Sequence, residues 1–412
     1  MGGFGRYLAA ALAARFANEG MGMAVVLLAL ERTGSAAHGA FVLTAWLVPN
    51  ILAAPLAGAA AARTRRPRLF YVGALAGFTA AAATLSLLLG RAPVALVFAV
   101  AALGGTCGPM VTGGLSSLVT GLVPAGPGRD RAYGWDASTY NASAVAAPAV
   151  VSLVAAMVSA GPAMGVLAAS TALAATLAAT LPYEAPSAGG PRHGALAGAG
   201  AGLTALWRVR ELRAITSATT LAFVGIGALT TTAVLLATGL GSPGAGGVLM
   251  TAFAVGALAG SLTLGRMTSV EPGRLVRWAL AGTGVALTAA AFTPSVAVTA
   301  VLFAVAGVCD GPLLTATLRI RADYAPDGVR TQVFTLGAGL KMTAASVGAA
   351  LVGLAAEAPA WMLVTGIAGL QFAGALVHVL TIGRRPAPGM AVTGPSAGFA
   401  TAPAGRRSPG AP

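Results

Sequence analysis

The hydrophobic residues of this chain form long runs, separated by short polar segments rich in Gly, Pro and Arg. A helix of about 20 apolar residues crosses a hydrocarbon core about 30 Å thick, and the many Gly, Ala, Ser and Thr residues allow such helices to pack closely. The pattern predicts an all-α integral membrane protein with twelve transmembrane helices. The runs are 8–30, 39–62, 69–90, 93–122, 133–158, 162–182, 214–238, 246–267, 275–292, 296–318, 331–356 and 360–382.

A short motif occurs twice, about 200 residues apart, as internal repeats do. The segment 107–112, Cys-Gly-Pro-Met-Val-Thr, returns at 309–315 as Cys-Asp-Gly-Pro-Leu-Leu-Thr. Gly58, with Arg63 after it, and Gly260, with Arg266 after it, are separated in sequence by nearly the same number of residues as the two copies of the motif. The repeat predicts two homologous six-helix halves in the same orientation.

Four regions follow from this pattern. Residues 1–182 and 214–383 are the two halves, and 384–412, rich in Pro, Gly, Ala and Ser, are expected to be a disordered tail. The linker 183–213 ends in a stretch of Leu, Trp and Arg that predicts an amphipathic helix on the membrane surface.

The composition excludes the water-soluble classes of protein. With 57% hydrophobic and 9% charged residues and a mean hydropathy of +0.82, no segment within residues 8–382 is polar enough for a water-soluble domain. The net charge of +14 indicates lipid rather than nucleic acid, because the predicted loops on one side hold nearly all the arginines and the opposite loops hold Arg32 and Arg91. By the positive-inside rule both termini are cytoplasmic.

Arginine far outnumbers lysine, as in a GC-rich genome, so we expect the inner (cytoplasmic) membrane of a high-GC bacterium. The first apolar run is interrupted by Arg15 and Glu19 and is expected to stay as an uncleaved helix. The two cysteines lie within apolar runs and predict packing rather than a disulfide or a metal site. The sequence carries no phosphate-binding, metal or catalytic motif, so we expect neither an enzyme nor a cofactor.

The segment after the second run, Gly58 to Arg68, matches in part the pattern G-x-L-A-D-R-x-G-R-R. Twelve helices in two halves, with this segment and a long central loop, resemble the major facilitator superfamily of transporters. The resemblance assigns Gly58, Arg63 and Arg66 to an inner-loop gate, although Ala62 replaces the Asp of the pattern. Asp136, close to the inner mouth, is expected to pair with a gate arginine.

The fifth run is similar in spacing to a signature of drug-efflux members, G-x8-G-x3-G-P-x2-G. Gly134, Ser143, Ala147 and Pro148 occupy its first four marked positions, and Val151 departs from the last. The resemblance implies efflux of the actinobacterial drug or metabolite type, although the arginine that such exporters often carry in helix 4 is missing.

Ionisable residues at a helix centre cost about 2.5 to 3.5 kcal/mol on insertion scales, so each calls for a function or a partner. Glu19 lies about 16 Å into the first run, near the midplane. It either couples transport to protons or recognises a cation, or else it pairs with Arg15 one turn away. Asp310 and Lys341 have similar depths on consecutive helices, which predicts a mutual ion pair, either permanent or opened during transport.

The sequence therefore predicts a secondary active transporter of the major facilitator type, which exports a small organic compound such as an antibiotic or secondary metabolite. The proton gradient is its energy source, and it works as a monomer in the bilayer. The alternatives are a metabolite or sugar uptake symporter and a non-transporting sensor or scaffold. The expected substrate and proton pathway consists of Asn18, Glu19, Trp46, Asn50, Tyr140, Asn141, Asp310 and Lys341.

Overall fold

The computed structural model describes residues 2–183, 195–242, 245–264, 270–326, 328–355 and 357–383, and these residues are helical apart from short connections. The first half contains α1 (Gly3–Thr33), α2 (in two segments, Ala36–Leu47 and Pro49–Arg63), α3 (Pro67–Leu88), α4 (Val94–Leu122), α5 (Pro127–Met157) and α6 (Ala160–Ala179). The second half contains α7 (Arg210–Gly239), α8 (Gly246–Leu264), α9 (Pro272–Ala291), α10 (Val296–Tyr324), α11 (Arg330–Leu354) and α12 (Ala360–Gly383).

Eleven of these helices are long and apolar enough to cross a membrane, judged by length and composition over the described residues. The other is α9, which has 20 residues and carries Arg274 and Arg277 near its start. Each predicted apolar run thus has its helix. The predicted tail, 384–412, lies outside the described residues, as do 184–194 of the linker.

The linker helix spans Ala195–Arg208 and is shorter at its end than the predicted amphipathic stretch. Val209 has an extended backbone (φ −76°, ψ 118°), so Arg210 begins α7 instead of continuing the linker helix. Leu206 is buried and Trp207 is exposed, so one face of the linker helix packs against the protein and another faces outward.

Glycine and capping residues set the tight connections on the side opposite the linker. Gly34 ends α1 with a left-handed backbone (φ 68°), which residues with a side chain rarely adopt. Ser35 then caps α2 by accepting a hydrogen bond from the backbone N–H of His38. Gly90 (φ 76°) makes the corresponding turn after α3.

The repeated motif packs in the same way in both halves. Its cysteine lies against a glycine of the preceding helix: Cys107 meets Gly77 of α3, and Cys309 meets Gly282 of α9. Its glycine lies against the helix two places before: Gly108 meets Asn50 of α2, and Gly311 meets the Ala257 carbonyl of α8. The cysteines are therefore packing residues, and the shared contacts support the duplication.

The two copies differ in backbone. In α4 the regular helix stops at Gly105, and residues Met110–Gly114 form a π-helical segment just after Pro109. In α10 the helix runs through Pro312 without a break. Proline lacks the N–H that a helix needs, so each copy loses a backbone hydrogen bond, and only α4 changes its winding there.

The two halves meet on the side where α2 ends at Arg63 and α10 ends after Arg319, which we call the basic side. Hydrogen bonds between the halves lie between this side and the middle of α5. They join Ser117 to Thr331, Ser138 to Ser261, Asn141 to Ala257 and Ser261, Asp130 to Arg319, and Thr120 to Arg330. The main core of the first half also includes Leu318, Ala322 and Phe334 from α10 and α11.

Candidate functional site

A buried ion pair connects α1 to α5. Arg15 Nη1 lies 2.7 Å from Asp136 Oδ1, and both side chains are 0% exposed. Arg15 also donates to the Asp136 carbonyl at 2.8 Å and to Thr139 Oγ1. The predictions that Arg15 pairs with Glu19 and that Asp136 pairs with a gate arginine are therefore wrong, because the two residues are each other's partner.

The remaining groups around this pair complete its hydrogen bonding. Asp136 Oδ1 accepts from the Tyr7 hydroxyl at 2.5 Å, and Oδ2 accepts from Ser116 of α4 at 2.7 Å. Arg15 donates to Ser116 at 2.9 Å, and its guanidinium lies 3.6 Å from the centre of the Tyr140 ring. A buried ion pair is stable only when such additional bonds offset desolvation, so this network fastens α1, α4 and α5 together.

Glu19 has no basic side chain within 4.0 Å of its carboxylate in the described part of the chain. It lies near the middle of α1 and is partly buried. Its only hydrogen bond in the described part of the chain comes from Asn18 Nδ2, at 3.5 Å. Because Arg15 is committed to Asp136, the Glu19 carboxylate is available to a proton or a ligand.

Asp310 and Lys341 lie near the middle of α10 and α11, as their sequence depth predicts. Among the described residues no N–O contact within 4.0 Å joins them, so they form no direct salt bridge in this conformation. Their charges still interact electrostatically, and the mutual ion pair stays a prediction. Lys341 Nζ instead lies 3.9 Å from the centre of the Phe223 ring of α7. Asp310 Oδ1 is enclosed and makes no hydrogen bond to a described residue.

Three other predicted pathway residues serve packing in this conformation. Trp46 is 2% exposed and sits edge-on to Phe78, with ring centres 4.9 Å apart, so it belongs to the core. Asn50 donates to the Trp46 carbonyl at 3.2 Å. Asn141 donates to the Ala257 carbonyl and to Ser261, both at 3.2 Å, and so joins the halves.

The predicted gate glycine lies at the contact between the halves. A Cβ at Gly58 would come within 2.8 Å of Gln332 Cα, so α2 and α11 approach closely at this point. Arg63 and Arg66 are exposed on the basic side and form no ion pair among the described residues. This part of the gate is therefore a close backbone contact rather than a charge contact.

The helix 5 signature residues pack α5 against its own half. Ser138 donates to the Gly134 carbonyl at 2.8 Å, and Ser143 donates to the Leu12 carbonyl of α1 at 3.4 Å. Ala147 is fully buried, and Pro148 lies inside the unbroken helix. Small side chains here allow α1 and α5 to approach closely.

One charged contact between the halves was not predicted from the sequence. Arg319 Nη2 of α10 lies 2.7 Å from Asp130 Oδ2 in the first turn of α5, and the two side chains are 7% and 25% exposed. Both residues lie close to predicted helix ends, where loop charges are ordinary, so their positions in sequence gave no signal.

Loss of this contact is expected to favour separation of the halves on the basic side. In Asp130→Asn the charge attraction to Arg319 is lost, and we expect greater access of a thiol reagent to a cysteine placed at Thr331 in a cysteine-free background. Glu271→Gln is the matched control, because Glu271 pairs with Arg274 at 3.8 Å on an exposed surface. Equal labelling rates in the two variants would show that the Arg319 contact does not hold the halves together.

Known proteins share parts of this sequence and this arrangement of helices. Residues 215–408 match the sequence profile of the Major Facilitator Superfamily. The human organic anion transporter MFSD10 (TETRAN) superposes with a TM-score of 0.73 and 16% identity, over 91% of this chain and 98% of that one. A bacterial homologue of the iron transporter ferroportin, in an outward-facing state, superposes with a TM-score of 0.73 and 16% identity, over 93% and 100%.

A second structure of the ferroportin homologue, with soaked iron, gives a TM-score of 0.68 at 15% identity, over 92% of this chain and 98% of that one. No curated protein matches this chain in sequence. The predicted all-α membrane fold is confirmed. The chain has the major facilitator fold, and its second half matches the sequence profile of the Major Facilitator Superfamily.

Proposed function

We propose that this protein is a secondary active transporter that exports a small organic compound in exchange for protons, by alternating access between its two halves. The observation that carries the proposal is the pair of central acids, Glu19 and Asp310. Both lie at mid-helix, one in each half, and neither has a basic partner within 4.0 Å among the described residues. Carboxylates in such a place are expected to take up and release protons.

The residues around the central acids suit an organic molecule. Lys341, held over the Phe223 ring, offers a charge near Asp310, and Asn18 offers an amide beside Glu19. Ligand sites combine apolar walls with a few polar groups that orient the ligand. The human neighbour is described as an organic anion transporter, which also supports an organic substrate.

The arginine distribution supports a cytoplasmic basic side, with both termini in the cytoplasm of the inner membrane. The halves are joined on that side, so with this orientation the structure corresponds to an outward-facing state. An antiporter would take up its proton from outside in this arrangement and then reorient to collect its substrate.

Inside-out vesicles test direction and coupling together. Vesicles with and without the protein are incubated with a small-molecule extract of the source organism, energised to acidify the interior, washed and analysed by mass spectrometry. We expect at least one compound to accumulate only in energised vesicles that contain the protein, and collapse of the proton gradient to release it. An exposed-site variant, Glu357→Gln, should accumulate the same compound.

Two outcomes would replace the proposal. Compounds that leave preloaded vesicles when the interior is acidified would indicate an uptake symporter. Identical contents in vesicles with and without the protein, at equal expression, would favour a sensor or scaffold.

A further inference from the structure

A second arginine of α10 is buried without a partner. The Arg321 side chain is 2% exposed, and its Nε and Nη2 atoms are enclosed and make no hydrogen bond to a described residue. No carboxylate lies within 4.0 Å of it in the described part of the chain. Burying an unpaired guanidinium is costly, so its position calls for a counter-charge.

The direction of this side chain adds to the argument. Arg321 lies three residues before the end of α10, where a long side chain ordinarily extends toward water at the membrane surface. Its guanidinium instead lies on Gly337 of α11, where a Cβ would be 2.2 Å from Nη2. Gly337 is seven residues into α11, about 10 Å from its start. The guanidinium therefore points toward the membrane interior.

A second cation lies next to it. Lys341 follows Gly337 by four residues on α11, so the two share a helix face about 6 Å apart along the axis. Lys341 is close enough to interact electrostatically with both Arg321 and Asp310, and Tyr140 of the first half interacts with Arg321 in the same way. The interaction with Tyr140 places the Arg321 guanidinium close to the first half, while Lys341 Nζ lies over the Phe223 ring of the second half.

Glycine at 337 makes this placement possible. Any larger residue would occupy the space of the guanidinium, because the Cβ position also lies 2.3 Å from Arg321 Cζ. The arginine fork remains aimed at the interior, and its enclosed Nε and Nη2 donors have no hydrogen-bond partner among the described residues, so a planar acceptor could pair with them once the halves move apart. Carboxylates match the geometry of that fork and accept two parallel hydrogen bonds.

We propose that Arg321 and Lys341 form an anion-binding subsite for a carboxylate carried by the transported compound. Arg321 supplies the paired donors, and Lys341 supplies a second positive charge about one helical turn further along α11. The assignment rests on the proposed function, because it names the class of substrate for the same region. It makes the substrate an organic acid or a zwitterion.

The test measures binding without transport. The purified full chain is placed in nanodiscs of zwitterionic lipid, and thermal unfolding and equilibrium binding are followed with acetate, benzoate and 2-naphthoate, each compared with its neutral amide. We expect at least one carboxylate to bind and stabilise the protein while its amide does not. Arg321→Gln should weaken that binding by about 10- to 100-fold, and Arg321→Lys should weaken it less.

Two measurements separate a ligand site from a structural arginine. Without ligand, Arg321→Gln should unfold at the same temperature as the wild type or higher, because no protein partner is lost. The matched control is Arg274→Gln, which removes one charge from an exposed pair and should leave carboxylate binding unchanged. Loss of folding in Arg321→Gln would mean that the guanidinium is structural and would overturn the proposal.

Equal binding of carboxylates and amides, or unchanged binding in Arg321→Gln, would also overturn it. Nanodiscs that contain phosphatidylglycerol distinguish a lipid source: displacement of the carboxylate by this lipid would assign the subsite to a headgroup instead. Since no gradient is used, these results do not depend on whether export is driven by protons. Carboxylate binding with no proton-driven accumulation would reject the proposed function alone.

Discussion

Breaking the Arg15–Asp136 pair is expected to lower the free energy of unfolding by about 3 to 5 kcal/mol. Arg15→Met leaves the Asp136 carboxylate buried, with Tyr7 and Ser116 as its remaining hydrogen-bond donors among the described residues. Asp136→Asn leaves the Arg15 guanidinium buried beside a neutral amide. Either change places an uncompensated charge inside the first half, and thermal unfolding in nanodiscs should detect the loss.

The double variant separates pairing from unrelated damage. When both charges are removed no orphan remains, so the Arg15→Met, Asp136→Asn protein should recover part of the loss, with a coupling energy above about 0.5 kcal/mol. Arg274 and Glu271 form the matched exposed pair, with side chains 69% and 66% exposed, and Arg274→Met should change stability very little. Additive effects at positions 15 and 136 would contradict the coupling.

Neutralising Glu19 is expected to abolish gradient-driven accumulation while the protein still folds. Glu19→Gln keeps the size of the side chain, and the one hydrogen bond at risk among the described residues is that from Asn18, at 3.5 Å. If Glu19 carries the proton, the variant has no charge to exchange with it. The compound found in the vesicle experiment should then fail to accumulate when the interior is acidified.

Exchange of labelled for unlabelled compound needs no net proton movement, so it should persist in Glu19→Gln and show that binding and reorientation remain. Glu357→Gln, an exposed change between α11 and α12, should behave as the wild type in both assays. Full gradient-driven accumulation in Glu19→Gln would remove this residue from the coupling mechanism.

The position of a residue along its apolar run predicted well how deep it lies in the membrane. Apolar runs located the helices because crossing a bilayer requires a minimum length, and Glu19, Asp310 and Lys341 all lie near helix middles as predicted. The repeated Cys-Gly-Pro motif predicted equivalent helix contacts in both halves, because small residues are selected where backbones touch.

The position of a residue along its run did not predict which helix faces contact each other. Arg15 and Asp136 are 121 positions apart, and their pairing depends on how α1 and α5 are rotated against each other. Glu19 is nearer to Arg15 in sequence, yet the hydrogen bonds from Ser116 and Tyr7 stabilise the charge of Asp136 instead. Trp46 was expected to line the pathway because its depth in the membrane was suitable. Its side chain instead lies against Phe78.

The contacts that join the halves have a thermodynamic consequence. Apart from the Asp130–Arg319 pair and the bond from the Arg330 guanidinium to Thr120, they are hydrogen bonds of hydroxyl and amide groups, such as Ser138 with Ser261 and Asn141 with the Ala257 carbonyl. Each contributes about 0.5 to 1.5 kcal/mol net, since water can replace either partner when the halves part. The two orientations of the halves are therefore expected to differ by only a few kcal/mol, and differential binding of one proton or one substrate molecule is sufficient to change which orientation is populated.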